Sequence, residues 1–593
     1  MRSWIKYLLI LLVCGVALVF IPAYIDGYNL PKITLFYLVT LAILALWILS
    51  GIKEGKLRIK VPALFCAVAL LVLVNALAVV FSMNPPQSFW GQYRFYSFGL
   101  LPLITAAVFS FVICQVDVDN GVFNWVILGA ALSTVYGFLV PSQDGRMNTT
   151  FGSPIYYAVY TAAIAPLVLA RILEGRNRLV WSVTMIILAA GLVTAGSKGS
   201  WIASGASIAV FIFAALLRKQ LKVKKGLAIA AGIALLGAGL FFVSSDLSKL
   251  RTALDVQGSS NFSRLEGWKT SIAIIKEKPL LGSGPANFSL AFSPHKTLEY
   301  VRSVGSEMVQ GHAHNDIIQA AVTTGLVGLS AYLFFWLVLL FRGFLTARNG
   351  LFESGIFAGI TAIFVFNQFN NGMVPELVLF WLMAGWVGKS DKEAKVFELR
   401  VPGGGKAGFA VMAASLFLMY FLTTPFRAEM KFVDGNIAAV SGDLKQAFDD
   451  FEEAIKINPL VTNYYSAIFD LGHLAVLQAR DPGYSRQVLG KLEKYAVSNA
   501  RINRFDPDSH CNLGVVYAWE YQLTGENKLE PAARAFEMSV SIDRYFLKGW
   551  LGLGKIYFTQ GNRTGAAECF ARALEIDPQN QDALNNLANA RKP

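Results

Sequence analysis

The sequence predicts an all-α chain: a polytopic membrane helix bundle of about thirteen spans with one large outer loop, followed by a C-terminal α-solenoid. Three observations predict it. Hydrophobic residues are 55% of the chain and charged residues only 15%, against roughly 25% charged in soluble domains. Through residues 1–423 the apolar residues come in long runs. From Thr424 the composition turns polar and helical, with a period of about 34 residues in the clearest copies.

Nine runs come first: Leu8–Pro22, Thr34–Leu49, Val61–Phe81, Gly99–Cys114, Val122–Val140, Tyr156–Ala170, Leu179–Ala195, Trp201–Leu217 and Leu227–Val243. A polar stretch, Ser244–His314, follows. Four more runs close the membrane part: Leu326–Phe341, Ile356–Phe366, Leu377–Val387 and Ala407–Thr423. With their flanks most approach the roughly 20 residues that a bilayer requires. The short pair at Ile356 and Leu377 reads as both crossing or neither. Arg2 and Lys6 precede the first run and no small-x-small cleavage site follows it, so it reads as an uncleaved span.

Orientation follows from the basic loops. Lys53, Lys56, Arg58 and Lys60 follow the second run; Arg171, Arg176 and Arg178 the sixth; Arg218, Lys219, Lys222, Lys224 and Lys225 the eighth. Arg342 and Arg348 follow the tenth, and Lys389, Lys392 and Lys395 the twelfth. All fall on the side of the N-terminus, which the positive-inside rule makes cytoplasmic. The Ser244–His314 loop and everything after Thr423 are then extracytoplasmic. The same loops account for much of the net charge of +13, so it gives no reason to expect nucleic acid as a partner. Cys14, Cys66 and Cys114 read as packing residues in apolar runs, and Cys511 and Cys569 as free thiols of the tail, with a disulfide between them in an oxidising compartment as the alternative.

The tail repeats. Its last copy holds Trp550, Leu553, Gly554, Tyr557, Ala566, Phe570, Ala573 and Pro578; an earlier one holds Gly435, Ala447, Phe451, Ala454 and Pro459. A third holds Leu513, Gly514, Tyr517, Ala532 and Phe536, and a degenerate unit surrounds Leu471, Gly472 and Pro507. This spacing resembles the tetratricopeptide (TPR) consensus, in which small residues let paired helices approach and aromatics fill the space between them. Residues 424–593 therefore read as a TPR domain appended to a membrane domain of residues 1–423. Such stacks offer a concave face to a protein partner, with a purely structural cap as the alternative.

Four polar stretches fall on the outer face by this topology. They are Arg146-Met-Asn-Thr-Thr-Phe-Gly-Ser-Pro154, Ser197-Lys198-Gly199-Ser200-Trp201, Ser263-Arg264-Leu265-Glu266-Gly267-Trp268 with Lys278-Pro279-Leu280-Leu281-Gly282-Ser283-Gly284-Pro285-Ala286-Asn287-Phe288, and His312-Ala313-His314-Asn315. The last is followed, after nine residues, by Gly325-Leu-Val-Gly328. From about Arg94 to Trp386 the chain resembles the O-antigen ligase family, which also includes O-antigen polymerases and protein O-oligosaccharyltransferases. The His-Asn-x9-Gly-x-x-Gly stretch carries the resemblance most specifically. The resemblance implies transfer of a glycan from undecaprenyl pyrophosphate to an acceptor hydroxyl at the outer face of a bacterial inner membrane. It places the family's catalytic histidine on His314 and its loop arginine on Arg264. Its second arginine falls on Lys198, which keeps the charge and loses the bidentate fork. The usual Asn-Pro-Asn is altered to Ser153-Pro154-Ile155.

Elementary chemistry points the same way. Pyrophosphate is a good leaving group, so the site must hold developing negative charge, which fixed cations do. The acceptor hydroxyl is a poor nucleophile, and a neutral histidine accepts its proton. One base with cationic clamps predicts inversion at the anomeric carbon without metal or cofactor. Arg264, Lys198, Arg146 and Arg94 are the candidate pyrophosphate-binding residues and His314 the candidate base. Each has a plainer reading: His314 as a capping or packing side chain, Arg264 as a solvated loop charge, Lys198 as an interfacial lysine. A zinc site of His295, His312, His314 and Glu307 is disfavoured by its irregular spacing. Glycines 282, 284, 325 and 328 read as turn and packing residues. The acceptor is a lipid A-core-like molecule, a protein or a growing glycan; a TPR-bearing membrane scaffold is the non-enzyme alternative.

Overall fold

The computed structural model describes residues 1–593 other than 25, 141–145, 176, 225, 227–231, 233–258, 402–403, 480 and 593. The expected ninth span, the first part of the polar loop, Arg176 and Lys225 lie outside the described residues. Among the described residues six helices are long and apolar enough to cross a membrane: Asn29–Glu54, Val122–Leu139, Pro154–Glu174, Lys198–Leu217, Asp316–Asn349 and Gly405–Leu422. Shorter apolar helices include Ser3–Leu18, Leu64–Val80, Leu100–Gln115, Arg178–Thr194 and Leu351–Phe366. Their shared core buries side chains such as Phe36, Phe109, Phe123, Tyr157, Tyr160 and Trp381.

Local signals set several helix ends. Ser153 accepts a hydrogen bond from the Ile155 amide, Pro154 opens the helix, and Gly175 closes it with φ +89°. The altered Ser153-Pro154 pair therefore works as a helix start. Lys32 is an unexpected buried cation in the Asn29–Glu54 helix; its ammonium donates to the Thr150 carbonyl at 2.5 Å. That bond compensates a charge which would be expensive to leave unpaired away from water.

The all-α expectation needs one correction. Lys56–Val61 and Lys395–Arg400 pair as an antiparallel two-stranded sheet in which Arg58 faces Glu398 and donates to it at 2.7 Å. Polar and apolar residues alternate along Lys56–Val61, the period-2 pattern of a strand. The sheet joins the basic loops after the second and twelfth runs. On the same face Lys6 pairs with Asp119 at 2.9 Å, Arg171 donates to Asn120, and Arg342 pairs with Glu393 at 3.0 Å. The opposite face carries the segments 82–96, 146–153, 259–315 and 367–373.

The tail is a run of helices from Thr424–Ser441 to Gln581–Ala590. Its spacing works as the repeat pattern requires. A Cβ on Gly435 would stand 2.6 Å from the Phe451 ring, and one on Gly554 2.6 Å from the Phe570 ring. The stack touches the long loop of residues 259–315. Lys296 and Asp543 form a fully buried ion pair at 2.5 Å, Lys548 pairs with Glu307, and Arg302 donates to the Glu575 carbonyl. Ile576, Tyr545, Leu547 and Trp550 pack against Ile274, Phe288, Phe292, Tyr300 and Val301. At the other end of the stack Tyr93 and Tyr464 both donate to the buried Glu429 carboxylate. All five cysteines are free thiols.

Candidate functional site

Two sequence motifs interlock to build the site. The Asp316–Thr346 helix is broken at Gly325, whose φ of +66° lies in the left-handed region. Into that break fits the Pro279-Leu280-Leu281-Gly282 segment. Leu326 donates its amide to the Pro279 carbonyl at 2.8 Å, and the Ser283 and Gly284 amides donate to the Val322 and Thr323 carbonyls at 2.9 and 2.8 Å. A Cβ on Gly282 would meet the Val322 carbonyl oxygen at 2.6 Å, so the close approach requires glycine there. These glycines thus serve packing, as their sequence context suggests.

The same helix presents the histidines. Asn315 caps it by accepting from the Ile318 amide at 3.0 Å, and its own amide group donates to the Gln368 carbonyl. The turn before the cap is pinned on both sides. Ala313 donates to Gln319 at 2.8 Å, and Trp268 donates to the Ala313 carbonyl at 2.9 Å. His314 sits in this turn with φ +54°, uncommon for a residue with a side chain and tolerated only where the surroundings hold it. Its ring meets that of His312 edge to face at 4.1 Å, and Phe95 packs on His312 at 5.6 Å. Nδ1 of each histidine is buried and has no hydrogen-bond partner among the described residues.

Electrostatics keeps both rings neutral. Burial, then His312, then Arg264 push His314 down to about 3; burial and Arg264 push His312 down to about 4. Arg264 is itself lowered by burial, yet a guanidinium keeps its charge at any working pH. It donates to Asn370 at 3.4 Å. The first turn of the Lys198–Leu217 helix reaches the same asparagine, since a Cβ on Gly199 would stand 2.9 Å from the Asn370 amide nitrogen. Arg146 donates to the Ala195 carbonyl at 2.9 Å, beside the turn that precedes Lys198. Arg264 and the Lys198 turn thus meet at Asn370, His314 lies within reach of the Arg264 charge, and Arg146 stands behind the Lys198 turn. Arg94 lies apart, exposed on a neighbouring cleft that faces the helical stack.

Beside the histidines a cavity of about 220 Å³ runs between helices. Asp316, Gln319, Asn367 and Glu376 mark its polar end; Leu71, Tyr332, Trp336 and Trp381 line its apolar length. Sequence reading missed Asn370, although the amide-rich run Asn367-Gln368-Phe369-Asn370-Asn371 between two apolar helices was an available signal. His295 is engaged by Glu277 at 2.7 Å and Glu307 by Lys548, so neither joins the histidine pair. Among the described residues no group of three or more His, Cys, Asp or Glu is placed to hold a metal ion.

The comparisons with known proteins fall on both halves of the chain. Residues 183–333 match the family model described as O-antigen ligase, and residues 554–592 the one described as TPR repeat. Among solved structures, a thermophilic TPR protein of Thermus thermophilus is 18% identical, with 31% of this chain and 93% of that chain covered and a TM-score of 0.24. MamA protein is 14% identical over 28% of this chain and 81% of that one, with a TM-score of 0.22. YrrB, a TPR protein with an unusual peptide-binding site, is 21% identical over 30% and 81%, with a TM-score of 0.21. None of the curated proteins compared matches the chain. The stretch that matches the O-antigen ligase model includes Lys198, Arg264 and His314, and the C-terminal match is to a TPR repeat.

Proposed function

We propose that this protein transfers a glycan from undecaprenyl pyrophosphate to an acceptor hydroxyl at the outer face of the inner membrane, in the manner of an O-antigen ligase. The observation that carries the reading is the meeting of a neutral histidine pair with the Arg264 guanidinium beside an inter-helical cavity. In this reading the polyprenyl chain lies along the apolar length of the cavity. Arg264, the Lys198 turn and Arg146 hold the pyrophosphate. His314 takes the acceptor proton as the acceptor oxygen bonds to the anomeric carbon and the bond from that carbon to the phosphate oxygen breaks. The leaving pyrophosphate keeps both electrons of the broken bond. Attack opposite the leaving group inverts the anomeric centre.

The preferred acceptor is a lipid A-core-like molecule. A protein acceptor is the second reading, favoured by the repeat helices that pack directly on the loop bearing the histidines. Mass spectrometry of surface glycans and glycoproteins in a deletion strain separates them. Loss of glycan-capped lipid supports ligation, loss of modified protein supports the second reading, and an unchanged surface sinks both.

Two further outcomes are expected. If Lys198 contributes charge to the pyrophosphate site, Lys198→Arg retains or raises transfer and Lys198→Ala loses it; equal rates in wild type and the alanine variant reduce Lys198 to an interfacial side chain. Reporter fusions placed after Thr423 are expected to be active only as an exported enzyme, because the basic loops gather on the opposite face. Activity of a cytoplasmic reporter at that position removes the orientation and the function with it.

A further inference from the structure

The cleft on which Arg94 lies has a chemistry of its own. It encloses about 350 Å³ between the Pro85–Trp90 helix with its following loop and the first repeats of the tail, within the range of roughly 300–1,000 Å³ typical of small-ligand sites. Its floor is fixed where Tyr93 and Tyr464 share the buried Glu429 carboxylate. Trp90 and Phe505 contribute aromatic surface to its lining. Gln92 and Asn463 contribute planar amides whose side chains make no hydrogen bond among the described residues. Asp506, also in the lining, directs its oxygens to Thr462, Ser509 and the Asp508 amide. The exposed Arg94 guanidinium likewise donates no hydrogen bond among the described residues.

The loop is shaped to turn Arg94 outward. Gln92 and Phe95 bridge across a tight turn, and Arg94 takes φ +70°, a strained choice for a long side chain. The next residue, Phe95, also lines the cleft and packs on His312, so the cleft and the histidine site share that residue as a wall.

We propose that this cleft is an oligosaccharide-binding subsite that holds the glycan while its reacting end lies at His314. Aromatic faces cover the apolar side of a sugar ring, and each side-chain amide offers a donor and an acceptor to adjacent hydroxyls. One cation suits a neutral or uronic-acid-bearing glycan; a pyrophosphate finds its several cations around Asn370 instead. A peptide drawn along the repeats would use their length, whereas this cleft is walled on one side by the membrane domain. The inference rests on the proposed glycan transfer, and its test separates the two.

The experiment is equilibrium binding to the full chain in nanodiscs. The probes are undecaprenyl pyrophosphate without sugar, a printed array of short bacterial surface oligosaccharides (neutral and uronic-acid-bearing), and an array of unmodified peptides. Wild type is expected to bind oligosaccharides. The double variant Gln92→Ala with Asn463→Ala weakens that binding roughly tenfold or more, and Arg94→Ala weakens the uronic-acid-bearing set most. Both side chains of the double variant are at least partly exposed, so folding is expected to persist. Arg264→Ala gives the reverse pattern, losing lipid pyrophosphate and keeping oligosaccharide. No saccharide bound by wild type, saccharide binding untouched by the cleft variants, loss of lipid pyrophosphate in Arg94→Ala, or cleft-dependent binding of peptides alone each overturns the subsite. Lipid pyrophosphate binding untouched in Arg264→Ala, with the cleft result intact, removes Arg264 from ground-state donor binding and leaves the subsite standing.

Discussion

Replacing His314 with alanine is expected to lower glycan transfer by roughly 10²-fold or more while lipid-pyrophosphate binding persists. The imidazole is assigned to the acceptor and the cations to the donor, so the variant loses the base and keeps the clamp. His314 lies in a loop turn outside the apolar spans, and its replacement leaves the Asn315 cap and the Ala313–Gln319 bond in place. The sign of the pH dependence follows from the same surroundings. Burial, His312 and Arg264 all lower His314, so acid must reach well below the ordinary histidine value of about 6.5 before the resting base is protonated. The acid limb of kcat/KM, which reports the free enzyme, is therefore expected far below pH 6.5. A limb at 6.5 assigned to His314, or wild-type transfer by the alanine variant, removes His314 from the mechanism. Arg264→Ala sorts differently: donor binding weakens by about 1.5–3 kcal/mol, the worth of a charge-assisted bond. Normal donor binding with slow transfer would move Arg264 from ground-state anchor to transition-state stabiliser.

The second large effect concerns the join between loop and repeats. Lys296→Met leaves Asp543 buried without its partner, and breaking such a pair costs about 3–5 kcal/mol. Burial already pushes the Asp543 carboxyl up, and Lys296 opposes that push. Without Lys296 the carboxyl is expected to take up a proton or the repeats to leave the loop. Hydrogen exchange is expected to rise across Phe288–Val304 and Leu547–Ile576 together. Lys296→Met with Asp543→Leu should recover much of the loss, since an apolar pair replaces a buried ion pair at little net cost. Equal exchange in wild type and the single variant would show that apolar packing alone holds the join.

What the sequence disclosed depended on separation along the chain. His312-Ala-His314-Asn315 and the Gly325-Leu-Val-Gly328 that follows are local, so residue order alone displayed them. The repeats were equally legible, because Gly435, Gly514 and Gly554 each meet an aromatic partner within one helix pair, as Gly554 meets Phe570. Asn370 was not legible, since its contact with Arg264 joins positions 106 residues apart. Arg94 shares the charge and outer-loop setting of the other candidates, and only tertiary packing turns it to a different cleft. The strand at Lys56–Val61 was hidden by its own charge. Three basic residues in six drew the reading to topology and away from the alternation that makes the segment pair.

That strand has a consequence for assembly. Its hydrogen-bonding partner, Lys395–Arg400, is made only after nearly all of the membrane part, and the Arg58–Glu398 bond spans 340 residues. Contacts at such separation form after the intervening chain has been ordered, because the entropy of closing so long a loop must be met first. Until then Lys56–Val61 is an open edge in a nascent chain, with its amides and carbonyls available to any passing strand. Its three cations suit that interval, since like charges repel a second copy of the same edge. The charge that reads as a topology signal thus doubles as a guard on an unfinished seam, and the two-stranded sheet is the latch that closes it when Lys395–Arg400 arrives.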